Sequence, residues 1–574
     1  PNRVGPSPNR VGPGPEMGPS PNRVGPSPDR VGPSPDRVGP SQDSPGSIPI
    51  SSETTVLPQV NLNTVSLMKK PLFHSPGFSL DPTVWKEQLP QLAQFPPLSS
   101  LRGGVPQTLL PDLPVGARLL VFADRWSWIT TDRWVLNILQ SGLQLEFQES
   151  RDHQISGFRT TPVPSDRVKA GLLDEEVQSL LNKGAIRIVP PDRTAYYSTY
   201  FLAPKHTGDW RPILNLKVLN QSMRHRTFKM ETLPRVLSCL RPGLWVASVD
   251  LKDAYLHLPV FEAHQKWLRF LYRGIHFQYR SMPFGLTSAP RIFTKVVAVI
   301  ADYLHSQGIL FFPYLDDLLI AGQSKEPFPE AVQFTLSTLV ELGWIVNWKK
   351  SQIIACQELT FIGAHLDLSV GLATLPVARK PPFIHLLQIF SEARVISARS
   401  FLRLLGLMAS MKSVVFQSLL HARPLQIYLL SKWNPSMDLE TLIPVSEDFK
   451  RDLQWWFQES NLSKGYPLGF HSPTLTLVTD ASHQGWGALL EDQTLQGVWE
   501  ADIAKQHINL LELRAVLLAV QHWQNQLRGQ VVRLETDNST VLHYIRNQGG
   551  THSPALAGLT FRLLTFCAAQ DIIL

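Results

Sequence analysis

The chain has 574 residues, enough for roughly three or four domains and several separate cores. Lys+Arg 54 against Asp+Glu 47 leaves +7 and a pI near 9.2, a mild basic excess that suits a polyanionic partner without proving one. Three widely spaced cysteines (Cys239, Cys356, Cys567) exclude a disulfide framework and a Cys-rich zinc site. No apolar run approaches the ~18 residues of a membrane span, and the Pro-rich start is not a secretory signal.

In chain order, the first feature is a repeat. Of 47 prolines, 13 lie in residues 1–46, where Pro1–Ser7 recurs from Pro8, Pro21, Pro28 and Pro35. Pro and Gly in every unit forbid a helix, and one Val per unit cannot make a coiled-coil seam. Residues 1–50 are therefore expected to be a disordered tail and 51–115 a Pro/Ser-rich linker. From Gly116 the texture changes. Trp126, Trp128, Trp134, Val135, Ile138 and Leu139 follow helical spacing, with Thr131–Asp132 as the cap. Leu172–Lys183 reads as an amphipathic helix stopped by Gly184. Short strands and helices then alternate to about 370. Residues 383–432 read as helical, with Leu402, Leu404, Leu405, Leu407 and Met408 as packing residues. A second strand-rich block opens at Leu475.

Chemistry concentrates in carboxylates. A β-branched run ends in Asp250, and an apolar hairpin pattern flanks Asp316–Asp317. Adjacent Asp side chains in so apolar a setting are costly unless a cation neutralises them. Two hard cations ~3.5–4 Å apart, bridged by carboxylates, serve in-line phosphoryl transfer. Asp316–Asp317 alone reads equally well as a solvated turn. Between them, Ser281–Pro290 is a Pro/Gly loop entering a helix. With Phe201–Lys205, Trp210–Pro212, Leu342–Lys350 and Phe361–Gly363, these make seven segments in order. Together they resemble the motifs of retroelement reverse transcriptases over about 166–370.

That resemblance implies roles. Asp250, Asp316 and Asp317 would hold two Mg²⁺ (or Mn²⁺) ions. Lys205 and Arg211 would clamp the triphosphate, and the backbone at Asp253 and Ala254 would face it. Tyr255 would be a steric gate against a ribose 2′-hydroxyl, although alone it reads as a core aromatic. Phe284 would lie under the nucleotide sugar, where retroviral enzymes usually have Gln. Gly285 would admit the template–primer backbone.

The C-terminal block repeats the acid pattern. Asp480 lies in a strand, Glu512 opens a helix running to about Leu527, and Asp537 ends another strand. Glu512 alone could be a helix-dipole partner. The order of the three resembles ribonuclease H across about 470–574, where they would hold two Mg²⁺ and cleave the RNA of a hybrid. That family's fourth acidic ligand has no counterpart: 554–568 reads as the preceding helix and Asp571–Leu574 as the start of the next strand. Weak hybrid cleavage and two cut ends are the expectation.

The fold expected is an α+β right-hand polymerase, with fingers and palm at 166–370 and a helical thumb and connection at 371–465. A truncated α/β ribonuclease H-like domain follows at 466–574, and an element-specific segment precedes the polymerase at 116–165. Phe122–Phe147 looks like the segment preceding the polymerase in DIRS-type, tyrosine-recombinase elements, with Ty3/gypsy-type as the alternative. Expected partners are an RNA template, a DNA primer, RNA–DNA hybrid and dNTPs, with no membrane, in the cytoplasm or nucleus. A catalytically silent nucleic-acid-binding remnant and an RNA-templated RNA polymerase are the competing readings. The intact acids oppose the first. Tyr255 and the ribonuclease H-like block oppose the second.

Overall fold

A computed structural model describes residues 113–148, 157–204, 210–326, 328–469 and 472–574. The repeat tail, nearly all of the linker and Lys205 lie outside the described residues. The helix Arg133–Ser141 begins where Asp132 accepts hydrogen bonds from the backbone N–H of Trp134 (2.8 Å) and Val135 (3.2 Å). Val135, Ile138 and Leu139 are buried, whereas Trp128 is 73% exposed and joins no core. The next helix, Arg167–Asn182, starts ahead of the expected Leu172 because Asp166 supplies the cap. It ends at Asn182, and Gly184 just beyond turns the chain with φ +62°.

Five strands follow in the order Ile186–Ile188, Ile275–Tyr279, Arg269–Tyr272, Tyr197–Pro204 and Trp210–Asn215. Asp174 ties the Arg167–Asn182 helix to this sheet. It accepts from the Tyr272 hydroxyl (2.8 Å) and from Arg273 Nε and Nη2 (2.7 and 2.9 Å). A buried carboxylate is tolerable here because its oxygens meet a guanidinium fork.

The central sheet is antiparallel, in the order Leu310–Tyr314, Asp317–Gly322, Trp245–Asp250 and Gln352–Cys356. Its two middle strands read as nearly unbroken apolar runs because they are largely buried, whereas the edge strand Gln352–Cys356 leaves Ile354 exposed. The helix Ala289–Ser306 lays Ile292, Phe293, Val296, Val297 and Ile300 into the same core. The register sets Asp250 opposite Asp317. Leu315 and Asp316 form the connecting turn, with Leu315 in the left-handed region at φ +52°.

Residues 358–467 are less helical than expected. A four-stranded sheet (Glu358–Phe361, Ala364–Asp367, Leu372–Thr374, Tyr466–Pro467) precedes and closes the helices Lys380–Glu392, Ala398–Ser410, Ser418–Lys432 and Glu447–Phe457. The helical reading of 383–432 breaks at Val395–Ser397, which pairs with Leu442–Pro444. β-Branched Val395 and Ile396 favour that extended pairing, and Ile396 is buried by it. Leu404, Leu405 and Met408 pack as expected, but Leu402 is exposed.

The C-terminal sheet runs Gln493–Val498, Gly485–Leu490, Leu475–Ala481, Val532–Glu535, with only the last pair parallel. The helix Ile508–His522 stops short of Leu527, and a brief second helix, Gln524–Leu527, follows Trp523. The helix Ser539–Arg546, capped by Asn538, was not foreseen. Asp571–Leu574 contributes a single bridge, Ile573 to Val531, rather than a strand. Among the described residues no helix is long and apolar enough to cross a membrane.

Residues 113–148 are built into the same core as the central sheet. Arg118 Nε, Arg125 Nη1 and Trp126 Nε1 donate to the carbonyls of Gly343 (2.9 Å), Glu341 (3.1 Å) and Leu342 (3.0 Å). A Cβ on Gly343, whose φ is +96°, would meet the Phe122 ring at 2.6 Å. His257, fully buried, joins this loop to the segment after Asp253. Its Nε2 accepts from Ile345 N–H (3.1 Å), which leaves the proton on Nδ1, 3.3 Å from the Ala254 carbonyl.

Burial, and then the Arg118 charge, push His257 down to about 3. Its unfolded value is ~6.5. The neutral ring therefore contributes stability that is complete above pH ~6.5 and lost progressively as pH falls toward 3, on the order of a few kcal/mol in all. Thermal unfolding across that range should fall less steeply for His257→Gln than for wild type. Parallel profiles would contradict this.

Candidate active sites

The first acidic group is assembled by the central sheet. Asp250 ends one strand, Asp317 begins its neighbour, and the Leu251 N–H donates to the Asp316 carbonyl (3.0 Å), pinning the turn. Asp250 and Asp317 face a cleft of about 280 Å³ that Lys350 also lines. Lys350 Nζ lies 3.8 Å from Asp250 Oδ2, and Asn347 Nδ2 donates to Asp250 Oδ1 at 2.7 Å. Asp317 keeps solvent exposure. Its carboxyl is nevertheless raised above the ordinary range, by partial burial first and then by the Asp316 and Asp250 charges, while Lys350 pulls it back. Three carboxylates on adjoining backbone positions strain against one another, and a divalent cation of hard-oxygen preference fits that donor set.

Tyr255 stands beside this group. It lies in the short 3-10 helix Ala254–His257, its ring centroid 4.9 Å from Phe284 and 5.2 Å from Phe293. Burial, then the Asp316 and Tyr314 charges, push its hydroxyl up to about 12, so it stays protonated at neutral pH. Phe284 is 55% exposed, an apolar face open to a ligand. Asp253, the residue before this helix, adopts a left-handed backbone (φ +51°) and is held by Lys183 Nζ at 2.9 Å. Gly285 has φ +90°, and its carbonyl accepts from Asn220 Nδ2 (2.8 Å). Arg211 lies in the strand Trp210–Asn215 opposite Ala203. Lys205 lies outside the described residues.

The second acidic group converges further. Asp480, Glu512 and Asp537 each bring one oxygen within 4.8 Å of the others, the one such trio among the described residues. The Asp250, Asp316 and Asp317 oxygens do not gather so tightly. Asp480 lies in the strand Leu475–Ala481, whereas Asp537 follows the strand Val532–Glu535 instead of ending it. Asn538 Nδ2 bonds Asn509 Oδ1 at 3.0 Å, joining the Asp537 loop to the start of the Glu512 helix. Glu512 is 4% exposed, and its Oε2 has no hydrogen-bond partner among the described residues. Burial, then the Asp480 and Asp537 charges, push it up to about 7. The helix-dipole reading of Glu512 is corrected, because Glu512 lies beyond the first turn of Ile508–His522. An orphaned buried oxygen facing two more carboxylates fits a divalent cation.

Residues 203–366, which contain the whole first group, match the family described as reverse transcriptase (RNA-dependent DNA polymerase). The chain carries a reverse transcriptase domain. Similar curated proteins include the enzymatic polyprotein of Carnation etched ring virus, 23% identical over 403 residues, covering 67% of this chain and 56% of that protein. The Tf2-3 transposon polyprotein of Schizosaccharomyces pombe is 22% identical over 436 residues, covering 72% of this chain and 30% of that protein. The chain thus spans only part of these polyproteins. Among solved structures, a foamy viral protease-reverse transcriptase in complex with dsDNA is 15% identical with a TM-score of 0.48, covering 87% of this chain and 96% of that one.

Leu342–Lys350 stands out in the sequence as a motif, but nothing there singles out Asn347, Lys350 or Lys183. The lysines carry only charge as a signal, and Asn347 carries none. Because Glu512 is desolvated, Glu512→Gln should stabilise the cation-free protein at pH 8 by about 1–3 kcal/mol in urea unfolding. Added Mg²⁺ should then stabilise wild type more than the variant. A destabilised variant would contradict the assignment of burial as the cause.

Proposed function

We propose that the protein is the RNA-directed DNA polymerase of a retroelement, with an attached ribonuclease H-type nuclease. The reading is carried by one observation: Asp250, Asp316 and Asp317 occupy adjoining backbone positions at one end of the central sheet, inside the segment that matches the reverse transcriptase family. Its substrates would be an RNA template, a DNA primer and dNTPs, and its second substrate an RNA–DNA hybrid.

Asp250, Asp316 and Asp317 would hold two divalent ions, and Asp480, Glu512 and Asp537 another two. When bound, such ions activate the attacking oxygen, a primer hydroxyl in one site and a water in the other, and neutralise phosphate charge. The protein's own residues do the rest. Lys205 and Arg211 bind the triphosphate, which the backbone at Asp253 and Ala254 also faces. Lys183 holds Asp253 in place. The Tyr255 ring, packed on Phe284 and Phe293, fills the space of a ribose 2′-hydroxyl. Gly285 keeps the backbone open to template–primer. Duplex binding would rest on phosphate contacts and weaken with salt. The cytoplasm or nucleus is the proposed location.

For the element, we favour the DIRS type on the segment Phe122–Phe147. Ty3/gypsy is the alternative, and a Tf2 transposon is among the similar proteins. A tyrosine recombinase frame beside the gene supports the first and an integrase frame the second.

Primer extension on RNA with dNTPs and Mg²⁺ is the deciding experiment. Wild type should extend, and Asp316→Asn should lose roughly a thousandfold or more while remaining folded. Binding without synthesis in wild type would favour the silent remnant. Tyr255→Ala should raise rNTP use relative to dNTP by about tenfold or more, and an unchanged ratio would remove Tyr255 as the gate. Cleavage of a labelled hybrid should be lost in Asp480→Asn. If the variant cleaves as wild type does, the second site is misassigned.

A further inference from the structure

One hydrogen-bond ring closes around Asp250 and nowhere involves a strand partner. On one side Asp250 pairs with Asp317. On the other, the strand Gln352–Cys356 pairs only as far as Ser248, with an irregular register. Beyond that point the loop 345–351 takes over. Asn347 N–H donates to the Asp250 carbonyl at 2.8 Å. Asp250 N–H donates to Ser351 Oγ at 3.0 Å, and Ser351 Oγ–H donates to the Asn347 carbonyl at 2.9 Å. Asn347 Nδ2 then reaches the Asp250 side chain, at 2.7 Å from Oδ1. Both backbone polar groups of Asp250 and one carboxylate oxygen are thus satisfied by two residues of one loop.

We propose that Asn347 is a positioning residue for Asp250, with Ser351 locking it in place. The inference rests on the reading of Asp250 as a cation-holding carboxylate. An aspartate at a strand end has two soft side-chain torsions, and the two neighbouring negative charges of Asp316 and Asp317 would splay it. A donated amide hydrogen bond fixes the carboxylate plane without introducing a charge, and it leaves Oδ2 turned toward the cleft that Lys350 lines. A lysine at the same place would hold Asp250 as well, but its charge would compete with the cation. The amide is the group that orients without competing. Asn347 is itself over-determined, because its carbonyl also accepts from Lys350 N–H and Ser351 N–H, each at 3.0 Å.

The test uses the full chain with Asp480→Asn throughout, so that the second acidic group does not contribute. Single-nucleotide primer extension gives kcat, KM for dNTP and the half-saturating Mg²⁺ concentration, with the active fraction fixed by titration. Mn²⁺ binding without nucleic acid is read by paramagnetic resonance, using Asp250→Asn as the reference for loss of the site. Asn347→Ala should lower kcat by about 10–100-fold and raise half-saturating Mg²⁺ severalfold, with KM for dNTP nearly unchanged. Ser351→Ala should move the same quantities in the same direction by less, and it carries the test if Asn347→Ala does not fold. A lower active fraction with unchanged Mg²⁺ half-saturation would mean a merely structural role and overturn the proposal. So would wild-type kinetics in both variants. If the chain with Asn347 intact extends no primer, the polymerase reading fails. Mn²⁺ binding then decides the inference alone: weaker binding in the variants supports it, and equal binding overturns it.

Discussion

Like charges forced together at the end of a buried sheet are the constraint around which the polymerase half is arranged. Asp250 and Asp317 face each other across a strand pair, and Asp316 occupies the turn between the paired strands. At short range in a partly desolvated site such repulsion costs several kcal/mol, enough to distort a loosely held strand end. The surrounding structure answers it with rigidity. Leu318, Leu319 and Ile320 bury the strand immediately behind Asp317, and Val249 and Leu251 flank Asp250. The carboxylates cannot relieve their repulsion by backbone movement, and Asp317 carries the result as a carboxyl raised above its ordinary range by partial burial and its two acidic neighbours.

The same rigidity extends to residues outside the matched segment 203–366. The loop 341–351 touches Asp250 at one end through Asn347 and Ser351. At its other end, Arg118, Arg125 and Trp126 hold three successive carbonyls of that loop. His257 spans the space between them, and Lys252 N–H donates to the Ile345 carbonyl at 2.9 Å. A segment that reads from sequence as an element-specific preface is therefore the outer layer of the core around Asp250. Removing it would unpair three carbonyls, two of them in buried hydrogen bonds, and expose Trp344, which is 1% exposed in its presence.

What the sequence made legible was whatever depends on local chemistry. Asp132 announces a helix start, and Asp250 terminates a β-branched run. Asp316–Asp317 marks a turn between apolar strands, and Asp480, Glu512 and Asp537 fall in the expected order. What it hid depends on partners distant in the chain. Val395–Ser397 becomes a strand only because Leu442–Pro444 lies beside it. Trp128 shares the composition of a core residue but projects outward. Asn347 has no periodicity or charge to mark it, and its importance arises only once Asp250 is placed 2.7 Å away. Glu512 is legible as one of three ordered acids, but its desolvation follows only from the packing of its helix against the sheet.

The two acidic groups solve one electrostatic problem in opposite ways. In the C-terminal sheet the middle acid is buried and its two partners are exposed, so the three oxygens converge and the cost falls on Glu512, which is drawn toward the neutral form near pH 7. In the central sheet no carboxylate is fully buried, and the cost is spread over Asp317 and a counter-charge at Lys350. In the C-terminal group the oxygens meet within 4.8 Å of one another while the outer two acids stay exposed. The central-sheet group borders Tyr255, the exposed Phe284 and a lysine. Packing, rather than the identity of the acids, therefore separates the two groups: both are built from carboxylates, and they differ in burial, convergence and counter-charge.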